Sequence, residues 1–205
     1  MKLGIDIKGN TDKMEVQRTT KETTIIVCIN QIKNKKLVVN TLNPFLDHMI
    51  ETLAWRANLN VGVQINSKTN YGHTITEDIG ITFGLALLEL YKSKIPNGVE
   101  GFGYAFGILD EACASAAISI EGRANHFIEG PSFENIDGTN GYNLTSFFEG
   151  FCQGCKCTLR INFSGKDPHH SWESVFRAFG LAIRKTLEPN IWRKDTISGL
   201  KGTLE

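Results

Sequence analysis

No stretch of this 205-residue chain is apolar for long enough to span a membrane, which takes about 18 to 20 consecutive hydrophobic residues. Charge of one sign is not in excess either. The 22 Lys and Arg are matched by 22 Asp and Glu, so no overall field draws the chain to nucleic acid or an anionic lipid surface. The N-terminal stretch Met1 to Glu15 lacks the apolar core of a secretory signal, and a cytoplasmic location is expected. Cysteine is scarce and odd in number, at five, which does not suit a disulfide framework. Cys152, Cys155 and Cys157 form C-x-x-C-x-C, but no second pair follows to complete a four-ligand zinc site. These cysteines read as small buried hydrophobes. What remains is ordinary: 41% hydrophobic and 21% charged residues, enough for a globular core.

The chain contains an internal repeat. Residues 73–87 read HTITEDIGITFGLAL and residues 169–183 read HHSWESVFRAFGLAI. Aligned, they share His73 with His169, Glu77 with Glu173, and Phe83-Gly84-Leu85-Ala86 with Phe179-Gly180-Leu181-Ala182. Self-similarity of this kind marks a duplicated supersecondary unit. The flanks repeat as well. Alternating stretches, Asn58 to Asn66 and Cys157 to Phe163, precede the two copies as half-buried strands do. Upstream lie Pro44 to Ala57 and Leu144 to Cys155, whose apolar residues recur at helical spacing. Strands are expected at Glu15 to Thr20, Thr24 to Asn30 and Leu37 to Thr41, with a turn at Lys33 to Lys36. Tyr104 to Leu109, Cys113 to Ile120 and Asn125 to Ile128 repeat that order. The expectation is an α+β fold in one domain over 1–205, with β-β-β-α-β-α halves at about 14–96 and 97–190. Two mixed sheets would pack their helices between them.

Each repeated segment opens with a His and carries a Glu four residues later. On a helix these share one face, so His73 with Glu77, and His169 with Glu173, can each grip a metal ion. Imidazole plus carboxylate suits manganese, iron or zinc. His170, one position on, points about 100° away.

Several further motifs make the chain resemble the imidazoleglycerol-phosphate dehydratase family. Phe45-Leu46-Asp47-His48-Met49 matches its FLDHM, and Arg18-Thr19-Thr20-Lys21-Glu22-Thr23 its opening R-x-T-x-E-T. Asp110-Glu111-Ala112, Gly122-Arg123, His169-His170-x-x-Glu173-x-x-Phe176-Arg177-Ala178 and Lys201-Gly202 follow in the family's order. The resemblance implies dehydration of imidazole glycerol phosphate to imidazole acetol phosphate in histidine biosynthesis. It implies paired Mn(2+) ions holding the substrate ring between subunits of a large octahedral homo-oligomer, with neither nucleic acid nor membrane as partner.

On the family's pattern, His48, His73, Glu77 and His170 (the last from a neighbouring subunit) form an intact metal set. His169 and Glu173 form a residual second set, because Ser146 and Thr74 stand where the family has His. One metal site is therefore expected, with the second depleted. Glu22, Glu77 and Glu173 are the candidate catalytic carboxylates. Gly101 replaces an Arg and Gly199 a Ser on the phosphate side, which leaves Arg123, Arg177 and Lys201 to hold a phosphate. The losses imply impaired dehydratase activity; a one-metal paralogue with another small substrate, or a non-catalytic shell protein, are the alternatives.

Overall fold

A computed structural model describes residues 3–32 and 38–204. Nine strands and four α-helices are found among these residues. The first half runs β1 (Gly4–Gly9), β2 (Lys13–Thr19), β3 (Thr23–Asn30), β4 (Val39–Asn40), α1 (Pro44–Ala57), β5 (Asn60–Ser67) and α2 (Gly72–Lys94). The second runs β6 (Phe102–Leu109), β7 (Ala112–Ile120), β8 (Asn125–Glu129), α3 (Gly141–Cys155), β9 (Cys157–Ser164) and α4 (Pro168–Thr186).

Two mixed sheets result, in the orders β1-β2-β3-β5-β4 and β6-β7-β9-β8. In each, the last strand before the half's first helix pairs in parallel with the strand after it, β4 with β5 and β8 with β9. Without β1 the two sheets have the same plan, and the fold is the expected α+β duplication. β1 is an addition at the edge of the first sheet, paired with β2 alone. The turn at Lys33 to Lys36 and the start of the expected strand at Leu37 lie outside the described residues.

Strand composition decides how closely the helices approach. In β3, Ile25, Val27 and Ile29 turn inward and are fully buried. In β7 the inward row is Ala112, Ala114, Ala116, Ile118 and Ile120, and the small residues leave room for α4. Gly103 and Gly107 of β6 go further: a Cβ there would sit 2.1 Å from the Ala182 carbonyl and 2.3 Å from that of Ser174. Helix α4 therefore lies almost backbone to backbone on the second sheet.

The repeated Phe-Gly-Leu-Ala has the same explanation. Gly80 and Gly84 of α2 face Phe147 and Phe151 of α3, and Gly150 and Gly154 of α3 face Glu77 and Ile81 of α2. Gly180 of α4 meets Leu53 of α1. The helices thus pair across the halves, α2 with α3 and α1 with α4, each pair side by side with starts together. Phe83, Phe147, Phe148, Phe151, Phe176 and Phe179 fill the layer between the sheets, all fully buried, each contributing roughly 1.5–3 kcal/mol of burial. Cys152, Cys155 and Cys157 are buried in the same core, and burial pushes the Cys157 thiol well up from its ordinary range. Of the tryptophans only Trp172 packs, against Phe148 and Phe163; Trp55 and Trp192 are exposed.

Candidate metal centre

Helix α1 is fixed at its start by local chemistry. Asn43 caps it by accepting from the Leu46 amide at 3.1 Å, with Pro44 in the first turn. Asp47 accepts from the Thr41 amide and hydroxyl at 2.7 and 2.5 Å. The next residue, His48, is exposed and faces α4. That helix is capped by Asp167, which accepts from the His170 amide at 2.9 Å. His169 and Glu173 follow on one face, one turn apart.

These three side chains converge. His48 Nε2 and His169 Nε2 lie 3.3 and 3.2 Å from the same carboxylate oxygen, Glu173 Oε2. The other oxygen, Oε1, accepts from Arg177 Nε and Nη2 at 3.0 and 2.6 Å. Burial raises the Glu173 carboxyl, but the hydrogen bonds and charge of Arg177, then those of His48 and His169, bring it below its ordinary value. His169 Nδ1 lies 2.6 Å from Asp137 Oδ2. A carboxylate beside Nδ1 orients the ring and directs Nε2 at Glu173, the nitrogen that would turn to a metal ion bound there. The donor atoms of His48, His169 and Glu173 lie within 4.8 Å of one another, which makes them the one metal-capable group of three among the described residues. Two imidazole nitrogens and a carboxylate fit manganese, iron or zinc and leave coordination positions open.

The pseudo-equivalent place between α2 and α3 is less complete. His73 and Glu77 occupy the positions of His169 and Glu173, but Ser146 stands in for His48. Ser146 is 4% exposed and its hydroxyl donates to the Tyr142 carbonyl at 3.0 Å. The His73 ring lies 6.2 Å from that of Tyr142. Below it, Asp78 accepts from Arg18 Nη1 at 2.7 Å and from the Thr23 hydroxyl at 2.6 Å, so the R-x-T-x-E-T segment anchors the helix that carries His73 and Glu77.

Within the chain, helix pairing regroups the expected ligands. His48 joins His169 and Glu173 rather than His73 and Glu77, because α1 packs on α4. The Ser146 loss falls on the α2–α3 side, so the set taken as residual is the one that holds three donors together. Thr74 keeps its hydroxyl 3.3 Å from His73 Nε2. His170 turns away from His169, their rings at 87°, and its Nδ1 lies 3.0 Å from Glu111 Oε2. Hydrogen bonding to Glu111 raises the His170 pKa. Glu111 also accepts from the Lys166 and Asp167 amides; these amides, Asp167 first, and His170 bring it down to about 2. The Asp110-Glu111 turn is thus an orienting contact for His170.

The anion-binding candidates separate. Arg177 is engaged by Glu173 and by the Ile108 carbonyl, 2.9 Å from Nη1, beside the β6–β7 hairpin. Arg123 and Lys201 are exposed at the other end of β7, where the C-terminal segment runs along Glu121 and Gly122. Eight residue steps along β7 span roughly 27 Å. Gly101 has a left-handed φ of 73°, and a Cβ there would meet Ser198 at 2.5 Å, so that space is already taken. Glu22 is exposed in the β2–β3 turn, at a shallow pocket that also includes Lys21, Asn66 and Lys68. Sequence reasoning passed over Asp78 and Asp137. Asp78 directly follows Glu77, which is the signal that could have found it.

The family model described as imidazoleglycerol-phosphate dehydratase matches residues 41–183. Proteins of that description from Hydrogenovibrio crunogenus and a Janthinobacterium species are 33% and 34% identical to the chain. The first alignment covers 92% of this chain and 97% of that protein, the second 93% and 96%. Among solved structures, IGPD from Pyrococcus furiosus in complex with (S)-C348 is similar at TM-score 0.77 and 29% identity, over 91% of this chain and 98% of that one. The imidazoleglycerol-phosphate dehydratase of Staphylococcus aureus is similar at TM-score 0.75 and 25% identity, over 91% and 100%.

Proposed function

Because the chain belongs to the imidazoleglycerol-phosphate dehydratase family, we propose that it is a metal-dependent hydro-lyase converting imidazole glycerol phosphate to imidazole acetol phosphate, at reduced efficiency. The observation that carries this reading is the convergence of His48, His169 and Glu173 within 4.8 Å. These three residues would hold Mn(2+). When bound, the cation would supply Lewis-acid stabilisation of negative charge on the substrate's imidazole ring. Arg177 holds Glu173 ionised and aims its free oxygen at the two imidazoles. Asp137 fixes the His169 tautomer, and Glu111 holds His170 facing out of this group, toward a neighbouring subunit. Glu22 would act as the proton-accepting carboxylate, and Arg123 with Lys201 would contact the phosphate, as the resemblance implies.

Arg123 and Lys201 lie roughly 27 Å along β7 from the metal-capable group, too far for one small substrate to bridge. The full site therefore forms between chains. An exposed row on edge strand β6, Phe102, Tyr104, Phe106 and Ile108, supports self-association, since apolar patches of this kind mark contact surfaces.

A paralogue acting on a different small substrate is the second reading, favoured by Gly101. Its left-handed backbone and the Ser198 beside it remove a charged anion contact and leave no room to restore it.

Purified protein supplied with Mn(2+) and imidazole glycerol phosphate decides between them. The expected result is slow formation of imidazole acetol phosphate, abolished by chelation, restored by Mn(2+) and lost in His169→Ala. Metal-loaded protein that forms no product would contradict the dehydratase reading and favour another substrate.

A further inference from the structure

Strand β1 has no counterpart in the second sheet, and every residue in it is exposed. It is nonetheless firmly placed. Asn10 closes the β1–β2 turn by accepting from the Asp12 and Lys13 amides at 2.9 and 3.0 Å. Lys94, at the end of α2, donates to the Thr11 carbonyl at 2.9 Å. Ile7 lies opposite Val16 and Gly9 opposite Met14, both buried. The odd-numbered residues of β1 therefore turn to the helix side of the sheet, where Ile5 and Ile7 stay 54% and 44% exposed. Because β1 pairs with β2 alone, its other edge has no strand beside it among the described residues. A fixed, apolar, unpaired edge is a template for another strand.

We propose that β1 docks on β1 of a second copy of this chain, the two strands running antiparallel about Ile7 and joining the first sheets of two subunits. Charge selects both the partner and the register. The even-numbered side of β1 carries Asp6 and Lys8, with Lys8 Nζ 2.8 Å from Asp6 Oδ2. Directly opposite residues of an antiparallel ladder share a face. A ladder centred between two residues would thus turn one copy's apolar side onto the other's charged side. Centred on Asp6, it sets Asp6 against the partner's Asp6; centred on Lys8, it sets Lys8 against the partner's Lys8. Both cost like-charge repulsion. Centred on Ile7, it sets Ile7 against the partner's Ile7 and Asp6 against the partner's Lys8, twice by symmetry. The strand is self-complementary in that register. This contact is distinct from the β6 row, which belongs to the other sheet, and it does not depend on the reaction proposed above.

A thiol cross-link reads the register directly. The background is Cys113→Ser, which removes the exposed native thiol. There Ile7→Cys puts two thiols on facing residues about 4.5–5.5 Å apart at Cα, within disulfide reach. Oxidised glutathione should then join two chains through one disulfide, leaving two molecules of reduced glutathione. Ile5→Cys puts its thiols roughly 13 Å apart along the strands and should not link. Asp6→Lys and Lys8→Asp, each added to Ile7→Cys, should lose the link, and the two together should restore it. Every replaced side chain is exposed, so the core is untouched in all of these variants. No link with Ile7→Cys would overturn the proposal. Equal linking with Ile5→Cys, or a link indifferent to Asp6→Lys, would overturn it as well.

Discussion

Asp78 shows what a single side chain does for this fold. Its two oxygens are taken by Arg18 at 2.7 Å and Thr23 at 2.6 Å, and the carboxylate is nearly buried. Hydrogen bonds to a charged group contribute about 1.5–3 kcal/mol, and a partner left without one costs its desolvation. Asp78→Asn should therefore lower stability by about 2 kcal/mol, and Thr23→Val by about 1 kcal/mol. Both would be read as a shift in urea midpoint at constant slope, and a loss under about 0.5 kcal/mol for Asp78→Asn would contradict the clamp. The sequence shows the R-x-T-x-E-T segment clearly but not this use of it. A contact between residues 60 apart leaves no local spacing to detect, and the repeat offers Ser174 at the matching place. Asp137 was hidden differently: followed by Gly138, it reads as a turn.

Helices were the most legible elements, and the reason is chemical. Pro44 at the first turn and an unbroken apolar face bounded α1 at Pro44–Ala57, as found. The repeated Gly84 and Gly180 were visible as identity, and their meaning as close backbone contact was not. That contact can be tested by sign. In an open helix Gly→Ala stabilises by about 1 kcal/mol. At Gly80 a Cβ would sit 2.1 Å from the Phe147 carbonyl, so Gly80→Ala should instead destabilise by about 3 kcal/mol. For a chain of this size that is a fall in Tm of roughly 6–12 °C. A rise in Tm would show that α2 and α3 stand further apart. Strand β1 escaped notice because every residue in it is exposed. It adds ladder hydrogen bonds at an edge and puts nothing into the core, although the alternation of Leu3, Ile5 and Ile7 was there to be read.

At the scale of the whole molecule, duplication explains both what was readable and what was not. A repeat states which residues are equivalent. It does not state which helices touch. The duplication of the sheets and the His/Glu pairs were therefore legible, whereas the pairing of α1 with α4 and α2 with α3 was not. That pairing draws each candidate centre from both halves of the chain and moves His48 from the side of His73 to the side of His169. The measurement that tests this most directly is metal retained per chain after gentle purification and dialysis, in His48→Ala, His169→Ala and His73→Ala variants. The account predicts about one tightly held ion in the wild type, lost to similar extents in His48→Ala and His169→Ala and kept in His73→Ala. Loss in His73→Ala with retention in His169→Ala would contradict it, and would return His48 to the α2 side.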